Sequence, residues 1–237
     1  MQFTFKKFKV KQEKTAMKVG TDGVLLGAWA PLYNYPDTIL DIGSGTGLLA
    51  LMLAQRSEAE KIDAVEIDED AFSECVENFE ESPWSDRLYC YHASLGDFTE
   101  EFFEDIYYDL IISNPPFYSE NYKSGNEKRD KARFNDTLPF EELIACTEGL
   151  LSEKGIFCVI LPYKEEAHFI KKAAEYGLYP FKVCHVKGMT NTDIKRSLLA
   201  FTRVPAKITY EQLIIETARN EYTEDYKKLT QDFYLKL

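Results

Sequence analysis

The stretch Thr38-Ile-Leu-Asp-Ile-Gly-Ser-Gly-Thr-Gly47, followed by the apolar run Leu48–Arg56, decides the fold. Its apolar start, Thr38–Ile42, predicts a short buried strand, its alternating glycines predict a tight turn, and the run Leu48–Arg56 predicts a helix. A strand, a glycine turn and a helix form the first half of a nucleotide-binding βαβ unit. Glycine at Gly43, Gly45 and Gly47 removes Cβ atoms where a ligand approaches the backbone and permits positive φ angles.

The residues around this turn exclude two common kinds of nucleotide site. A dinucleotide fingerprint requires a glycine where the chain has Leu48, and a phosphate-binding P-loop requires Gly-Lys-Ser/Thr at its end. Asp41, directly before the turn, suits the amino end of a cofactor better than a pyrophosphate, because a carboxylate only accepts hydrogen bonds. The predicted cofactor contacts in this stretch are Asp41, Gly43, Gly45 and Gly47.

A second strand is predicted at Lys61–Ile67, with Glu66 close to its end. A carboxylate at the end of the second strand, about twenty residues after the glycine turn, can accept hydrogen bonds from both hydroxyls of a ribose. Glu66 is therefore the predicted ribose ligand. Asp68 is predicted instead to be the N-cap of the helix Glu69–Glu81.

A later predicted strand, Tyr108–Ile112, runs into the elbow Asn114-Pro115-Pro116-Phe117. Two consecutive prolines end a strand, and open α/β sheets bind ligands at the carboxyl ends of their strands. Asn114 and Pro115 offer two acceptor oxygens that can hold a flat group carrying an NH₂, and we predict them to be catalytic. Pro116 and Phe117 are predicted to contact the substrate, although a simple strand-ending turn would use Asn and Pro as well.

The net charge of −12 argues at first sight against a nucleic-acid partner. Lysine and arginine are nevertheless concentrated in three segments, residues 1–18, 123–133 and 182–207. The second segment lies within the long polar stretch Tyr118–Asn135, directly after the elbow, where a loop over the substrate is expected. If folding brings the basic segments together, they can bind a polyanion. The predicted substrate-binding cations are Lys128, Arg129 and Lys131.

The remaining pattern alternates strands with helices, which predicts an α/β fold with a mostly parallel sheet covered on both faces. The other predicted strands are Leu88–His92, Ile156–Leu161, Phe181–Val186, Ser197–Thr202 and Lys207–Ile215. The other predicted helices are a first one capped by Thr21 or Asp22 and ending near Trp29, then Phe140–Leu151, Glu165–Tyr176 and Thr223–Leu237.

Cysteine and histidine usage argues against disulfides and metals. The five cysteines are never arranged as CxxC and lie in apolar segments, so they are expected to be reduced core residues. The three histidines show no ligand spacing, and no metal site is predicted. Because no apolar run has membrane-spanning length and no secretory signal is recognisable, we expect a cytoplasmic protein without membrane contact.

The Asp41–Gly47 turn, Glu66 and Asn114–Phe117 together resemble the class I Rossmann-like methyltransferases, which use S-adenosyl-L-methionine. The Asn-Pro-Pro-aromatic motif is similar to that of enzymes that methylate amino groups. The segment Met17–Trp29 and the ending Asp232-Phe-Tyr-Leu235 narrow the resemblance to the bacterial tRNA-Val adenine-N6 methyltransferases. The resemblance then covers nearly the whole chain.

This resemblance implies a seven-stranded sheet whose last strand is antiparallel, S-adenosyl-L-methionine without a metal, and tRNA as the partner. It also implies cofactor contacts at Thr21, Asp22 and Asn114, and a contact with the adenine ring of the cofactor near Ser94. The expected organisation is one methyltransferase domain, with a monomer as the default. Its parts are an N-terminal cofactor-capping and basic segment (1–35), a catalytic core (36–204) and a C-terminal strand and helix extension (205–237).

Three hypotheses of function follow from the sequence. The first is an RNA adenine-N6 methyltransferase, and the second is a methyltransferase acting on another NH₂, in rRNA guanine or protein glutamine. The third is a nonenzymatic protein that binds adenosylmethionine. The intact elbow Asn114–Phe117 argues against the third, because a binding protein needs no holder for a nucleophile.

Overall fold

A computed structural model describes residues 2–102, 106–116 and 138–236. Its strands are β1 (Gln2–Thr4), β2 (Lys9–Lys11), β3 (Thr38–Ile42), β4 (Lys61–Glu66), β5 (Leu88–His92), β6 (Tyr108–Ser113), β7 (Leu151–Pro162), β8 (Tyr179–Met189), β9 (Ile194–Thr202), β10 (Thr209–Ala218) and β11 (Glu221–Tyr222). Its helices are α1 (Thr21–Trp29), α2 (Leu48–Arg56), α3 (Glu69–Glu80), α4 (Leu95–Phe102), α5 (Phe140–Leu150), α6 (Glu166–Glu175) and α7 (Glu224–Thr230), with a 3₁₀ turn at Tyr163–Glu165.

The main sheet has the order β11-β10-β8-β9-β7-β6-β3-β4-β5 within the described ranges. The neighbouring strands β5, β4, β3, β6 and β7 run parallel, and β9 is antiparallel to both β7 and β8. The predicted mostly parallel sheet is therefore confirmed. Seven neighbouring strands, β5, β4, β3, β6, β7, β9 and β8, match the implied seven-stranded core, in which β9 is the antiparallel strand. Strands β10 and β11 extend the sheet beyond β8.

The strands of the sheet separate two apolar cores. In β6, Leu110 and Ile112 face the core that contains α1, α2, α3 and α7, whereas Ile111 faces the core that contains α4, α5 and α6. This alternation follows from the two-residue period of a strand, and it gives the nearly continuous apolar runs of a sheet covered on both faces. None of the helices in the described part of the chain is long and apolar enough to cross a membrane.

Several predicted boundaries are wrong. Neither Thr21 nor Asp22 caps α1: Gly20 occupies the N-cap without a side-chain hydrogen bond, and both residues belong to the helix. The last helix ends at Thr230 instead of continuing to the terminus. The chain turns there because Phe233 is buried, and its carbonyl accepts the N–H of Lys6 at 2.8 Å.

The β1–β2 hairpin and α4 were not predicted. A three-residue strand contains too few alternations for its period to be recognised. The start of α4 carries a capping sequence, Ser94-Leu-Gly-Asp97, in which the Ser94 hydroxyl accepts the N–H of Asp97 at 3.1 Å. That pattern was the available signal for α4.

Gly47→Ala is expected to destabilise the protein by about 2–3 kcal/mol. A residue other than glycine in the left-handed conformation costs ~1–2 kcal/mol, and overpacking adds a further cost. Gly47 has φ 76°, and an added Cβ would lie 2.5 Å from Phe79 Cε1 and 2.8 Å from Cys75 Sγ. The measurement is urea unfolding. The matched control is Gly43→Ala, which shares a positive φ of 68° but would place its Cβ in open space. Equal losses in both variants would contradict the packing role of Gly47.

Candidate active site

Three strand ends meet at the carboxyl edge of the sheet. Ile42, at the end of β3, pairs with Val65 of β4 on one side and with Ser113 of β6 on the other. The Ser113 hydroxyl also donates to the Ile42 carbonyl at 2.9 Å. The glycine turn, Glu66 and Asn114 each follow one of these paired positions directly, so the fold brings the three predicted features together.

The glycine turn has an open side and a packed side. Gly43 and Gly45 have φ angles of 68° and 54°. A Cβ at Gly43 would meet no atom within 4 Å, and one at Gly45 would meet only Thr15 Cγ2 at 3.7 Å. This side leaves the backbone open to a close ligand. Gly47 faces α3 instead, so its observed role is packing, and a cofactor contact there stays a prediction.

Glu66 is held by hydrogen bonds from the backbone. Its Oε2 accepts the N–H of Gly45 at 2.7 Å, and its Oε1 accepts the N–H groups of Ile67 and Asp68, both at 3.0 Å. Oε1 thus already has two donors and Oε2 has one, so Oε2 is the oxygen with a free lone pair for a ligand hydroxyl. The side chain is therefore fixed beside the glycine turn before any ligand arrives. Asp68 is confirmed as the N-cap of α3, since its Oδ1 accepts the N–H of Ala71 at 2.8 Å.

Asp41 is fully buried beneath the turn. Its Oδ2 accepts the N–H of Ala50 at 3.2 Å in the first turn of α2, where the N-cap Gly47 has no side chain to do so. Its Oδ1 has no hydrogen-bond partner among the described residues. Burial raises the pKa of this carboxyl to about 7. The observed role of Asp41 is to order the turn and the helix after it, and direct contact with a cofactor stays a prediction.

The elbow after β6 presents an acceptor that lacks a donor. Asn114 Oδ1 is buried and, within the described ranges, has no hydrogen-bond partner. Leaving such a group unpaired costs about 1–3 kcal/mol. Pro115 is buried and Pro116 is half-buried, while Phe117 lies outside the described residues. The unpaired amide oxygen makes the elbow a site for an N–H donor that the described part of the chain does not supply.

The start of α1 lies beside the elbow, since a Cβ added at Gly23 would be 3.9 Å from Asn114 Nδ2. Thr21 is exposed at the first position of this helix. The Asp22 carboxylate accepts a hydrogen bond from Arg196 Nε at 2.8 Å, which ties α1 to the beginning of β9. The implied cofactor contacts at Thr21 and Asp22 stay predictions.

The predicted adenine contact falls on a helix cap. The Ser94 hydroxyl donates to Asp97 Oδ2 at 2.6 Å in addition to accepting the Asp97 N–H, so its O–H and one of its two lone pairs serve the start of α4. A contact through the Ser94 hydroxyl stays a prediction. Ile67, next to Glu66, is 60% exposed and provides apolar surface at this edge that sequence reasoning did not single out.

An N-terminal strap, defined here as residues 9–20, is tied to α3 by two buried polar side chains. The Glu74 carboxylate accepts the N–H of Lys14 at 3.1 Å and the N–H of Thr15 at 2.9 Å, and also the Thr15 hydroxyl. Burial acts to raise the pKa of Glu74, but the Thr15 hydrogen bonds bring it below its usual value. Asn78 Nδ2 donates both to the Lys11 carbonyl and to the Thr46 carbonyl of the glycine turn. The strap therefore forms one wall beside the turn.

Sequence reasoning missed Glu74 and Asn78. They lie four residues apart on the face of α3 that also buries Ala71, Cys75 and Phe79. Buried polar groups normally have hydrogen-bond partners, so a Glu and an Asn on an apolar helix face were a usable signal.

Folding engages many of the cations counted in the basic segments. Arg203 donates to the carbonyls of Glu148 and Leu151 at the end of α5. Ion pairs join Lys11 to Glu77 and Glu81, Lys14 to Glu77, Lys182 to Glu211, and Arg196 to Asp22. The predicted RNA contacts Lys128, Arg129 and Lys131 lie outside the described residues.

The described residues fit S-adenosyl-L-methionine. The open face at Gly43 accepts a ligand close to the backbone, and Glu66 Oε2 is positioned to accept a hydrogen bond from a ribose hydroxyl. In the same ranges no cluster of three or more His, Cys, Asp or Glu side chains could hold a metal ion. The five cysteines are free thiols, three of them buried.

Comparison with known proteins agrees with this fit. The profile of the methyltransferase small domain family matches residues 25–164. A curated tRNA1(Val) (adenine(37)-N6)-methyltransferase from Flavobacterium johnsoniae is 58% identical over 99% of this chain and 100% of its own length. One of the same name from Parabacteroides distasonis is 42% identical over 99% of this chain and 98% of its own length.

Solved structures share the fold at low sequence identity. A predicted O-methyltransferase from Agrobacterium tumefaciens superposes with a TM-score of 0.67 at 19% identity, covering 90% of this chain and 96% of that one. Pyrococcus horikoshii TYW2 in complex with MeSAdo superposes with a TM-score of 0.56 at 17% identity, covering 83% and 69%. The chain thus has the class I methyltransferase fold.

Proposed function

The chain belongs to the family of tRNA1(Val) (adenine(37)-N6)-methyltransferases, and from this premise we propose that it methylates N6 of adenosine 37 in a valine tRNA. The observation that carries the proposal is the unpaired Asn114 Oδ1, which lies at the same sheet edge as the glycine turn and Glu66. An exocyclic NH₂ is the donor that this acceptor lacks.

The chemistry depends on positioning. When bound, S-adenosyl-L-methionine supplies a methyl group on a sulfonium that is already activated for transfer. The N6 lone pair of adenine is delocalised into the ring and is a poor nucleophile. With Asn114 Oδ1 and the Pro115 carbonyl accepting the two N–H groups, the nitrogen can become tetrahedral and direct its lone pair out of the ring plane.

The same two acceptors stabilise the positive charge that develops on N6. An amide oxygen and a peptide carbonyl accept hydrogen bonds but are not bases that take up a proton. The N6 proton is proposed to be released to water. The target base must leave its RNA stack to reach the elbow, and Phe117 is proposed to stack on it.

The cofactor is proposed to lie between the strap and the ends of β3 and β4. Glu66 accepts the ribose hydroxyls, and Gly43 and Gly45 leave room against the backbone. We place another part of the cofactor, away from its ribose, beside the start of α1, near Thr21 and Asp22. The whole chain is proposed to act as one domain with the boundaries given above, in the cytoplasm.

The test is methylation with labelled donor on purified tRNA, rRNA and total protein. Incorporation only into tRNA, mapped to N6 of adenosine 37, is the expected result. Incorporation into rRNA guanine or protein glutamine would show that the protein methylates another NH₂ group. Binding of the cofactor without incorporation into any of the three would leave a nonenzymatic binding protein.

Neutralising Lys128, Arg129 and Lys131 together is expected to flatten the salt dependence of tRNA binding. Each duplex phosphate that a cation neutralises contributes about 0.9 to the slope of log affinity against log salt. The measurement is tRNA affinity across a salt series for the triple alanine variant and the wild type. An unchanged slope would show that these cations do not contact phosphates.

A further inference from the structure

An exposed aromatic row lies on the sheet face beside α6, at the end formed by β8, β9 and β10. Tyr163 is 43% exposed and Tyr210 is 61% exposed. His185 lies between them, with ring centroids 5.1 Å from Tyr163 and 6.0 Å from Tyr210. The proposed chemistry uses none of these three rings.

Glu166 holds the middle ring in place. Its Oε2 is 2.8 Å from His185 Nε2 and also accepts the hydroxyl of Ser197. Both side chains of the His185–Glu166 pair are mostly covered, at 20% and 16% exposure. The acid therefore lies against the ring, and the two tyrosines remain the accessible part of the row.

Two lysines lie next to the aromatic row, towards the carboxyl end of β8. Lys187 lies two residues beyond His185 on β8, which directs it to the same face. Lys195 lies on β9, in the irregular pairing opposite Lys187. Neither lysine makes an ion pair with a described residue, in contrast to Lys182 and Arg196 on the same strands.

Strand register places Tyr163, the end of this surface that is nearest to β6, close to the elbow. Ser113, next to Asn114, pairs with Val159 of β7. Ile160 is therefore the residue of β7 level with Asn114, and Tyr163 comes three residues after it along the chain. β7 ends at Pro162, two residues beyond Ile160, which is roughly 7 Å at about 3.3 Å per residue, and Tyr163 follows directly as the first residue of the 3₁₀ turn. A nucleotide adjacent to one held at the elbow can reach such a distance.

We propose that the stacking face, defined by Tyr163, His185, Tyr210, Lys187 and Lys195, binds the unpaired tRNA nucleotides that flank the target adenosine. The inference rests on the proposed function, because it takes the substrate to be tRNA. Aromatic rings stack on bases whatever their sequence, and lysines contact the phosphates between them. A base withdrawn from its stack leaves its neighbours exposed, and the rings replace the lost stacking partner.

The first test is the double variant Tyr163→Ala/Tyr210→Ala. The expected result is a rise in KM for tRNA of about tenfold or more, since stacking on one base is worth that much. The value of kcat is expected to stay close to that of the wild type. The matched control is Tyr33→Ala/Tyr107→Ala, which removes two tyrosines that are 63% and 54% exposed at the opposite edge of the sheet. Tyr163→Phe/Tyr210→Phe keeps the rings and is expected to restore the wild-type KM.

The second test is Lys187→Ala/Lys195→Ala. Because each phosphate of a single strand contributes about 0.7 to the salt slope, the slope for tRNA binding is expected to fall by about 1.4. The control is Lys154→Ala/Lys207→Ala, which removes the same charge near the amino ends of β7 and β10. An equal change in the control pair would mean that net charge alone is responsible.

The outcomes separate this inference from the proposed function. Wild-type protein that does not methylate tRNA overturns the proposed function. Wild-type activity combined with an unchanged KM in the alanine pair overturns the stacking face and leaves the function intact. The stacking face is also overturned if the phenylalanine pair shows the same loss as the alanine pair. A change of oligomeric state in sedimentation, without a change in tRNA affinity, would assign the surface to a second copy of the chain instead.

Discussion

Asn114→Ala is expected to lower kcat for tRNA methylation by about 10²–10³, the usual cost of removing one preorganised contact to developing charge. The variant loses the acceptor Oδ1, one of the two that reshape the amino nitrogen. The glycine turn and Glu66 stay in place through their own hydrogen bonds. Affinity for S-adenosyl-L-methionine, measured by calorimetry, is therefore expected to remain close to that of the wild type.

The matched control for this variant is Asn34→Ala. Asn34 also has a buried Oδ1 without a partner in the described ranges, but its Nδ2 donates to the Asp109 carbonyl at the amino end of β6. Its loss is expected to change stability and leave turnover unchanged. Asn114→Asp keeps the shape and one acceptor while adding a negative charge, so partial activity is expected. Wild-type turnover in Asn114→Ala would show that the elbow is only structural.

Glu66→Ala is expected to weaken S-adenosyl-L-methionine binding by about a hundredfold or more. Two ribose hydroxyls lose a charged acceptor, at ~1.5–3 kcal/mol for each such hydrogen bond. The variant also frees the N–H groups of Gly45, Ile67 and Asp68, which hold the edge of the site in its binding conformation. The measurement is calorimetry on protein that far-ultraviolet circular dichroism shows to be folded.

The control is Glu69→Ala, which removes an exposed carboxylate three residues away in the first turn of α3. It changes the net charge equally without touching the turn, and its cofactor affinity is expected to match the wild type. A folded Glu66→Ala variant with unchanged affinity would remove Glu66 from the cofactor site.

Local chemistry explains why the sequence predicted so much of the fold. The bounds of β3, α2 and β5 agree with the predicted ones residue for residue. Glycine and proline restrict their own backbone, and an apolar period records which side of an element is buried, so each of these signals lies within a few adjacent residues. The capping roles at Asp68 and Ser94 are likewise local, but only the one at Asp68 was predicted.

Register then converted separate motifs into a site. The sequence determined that Gly43, Glu66 and Asn114 each lie at or directly after the end of a strand. It carried no signal for which of these strands are neighbours. In the structure, backbone pairing of β3 with both β4 and β6 places them side by side.

The sequence by itself determined the strand–turn–helix unit, the elbow and the residue types that can hold a cofactor and an amino group. Tertiary structure alone decided how the strap is held and which cations remain unpaired. The Glu74 carboxylate and Thr15 are 59 residues apart, and Asp22 and Arg196 are 174 apart. The physical reason is that polar side chains pair by distance in space, and no local period or propensity encodes a partner that only the packed sheet and helices bring within hydrogen-bonding reach.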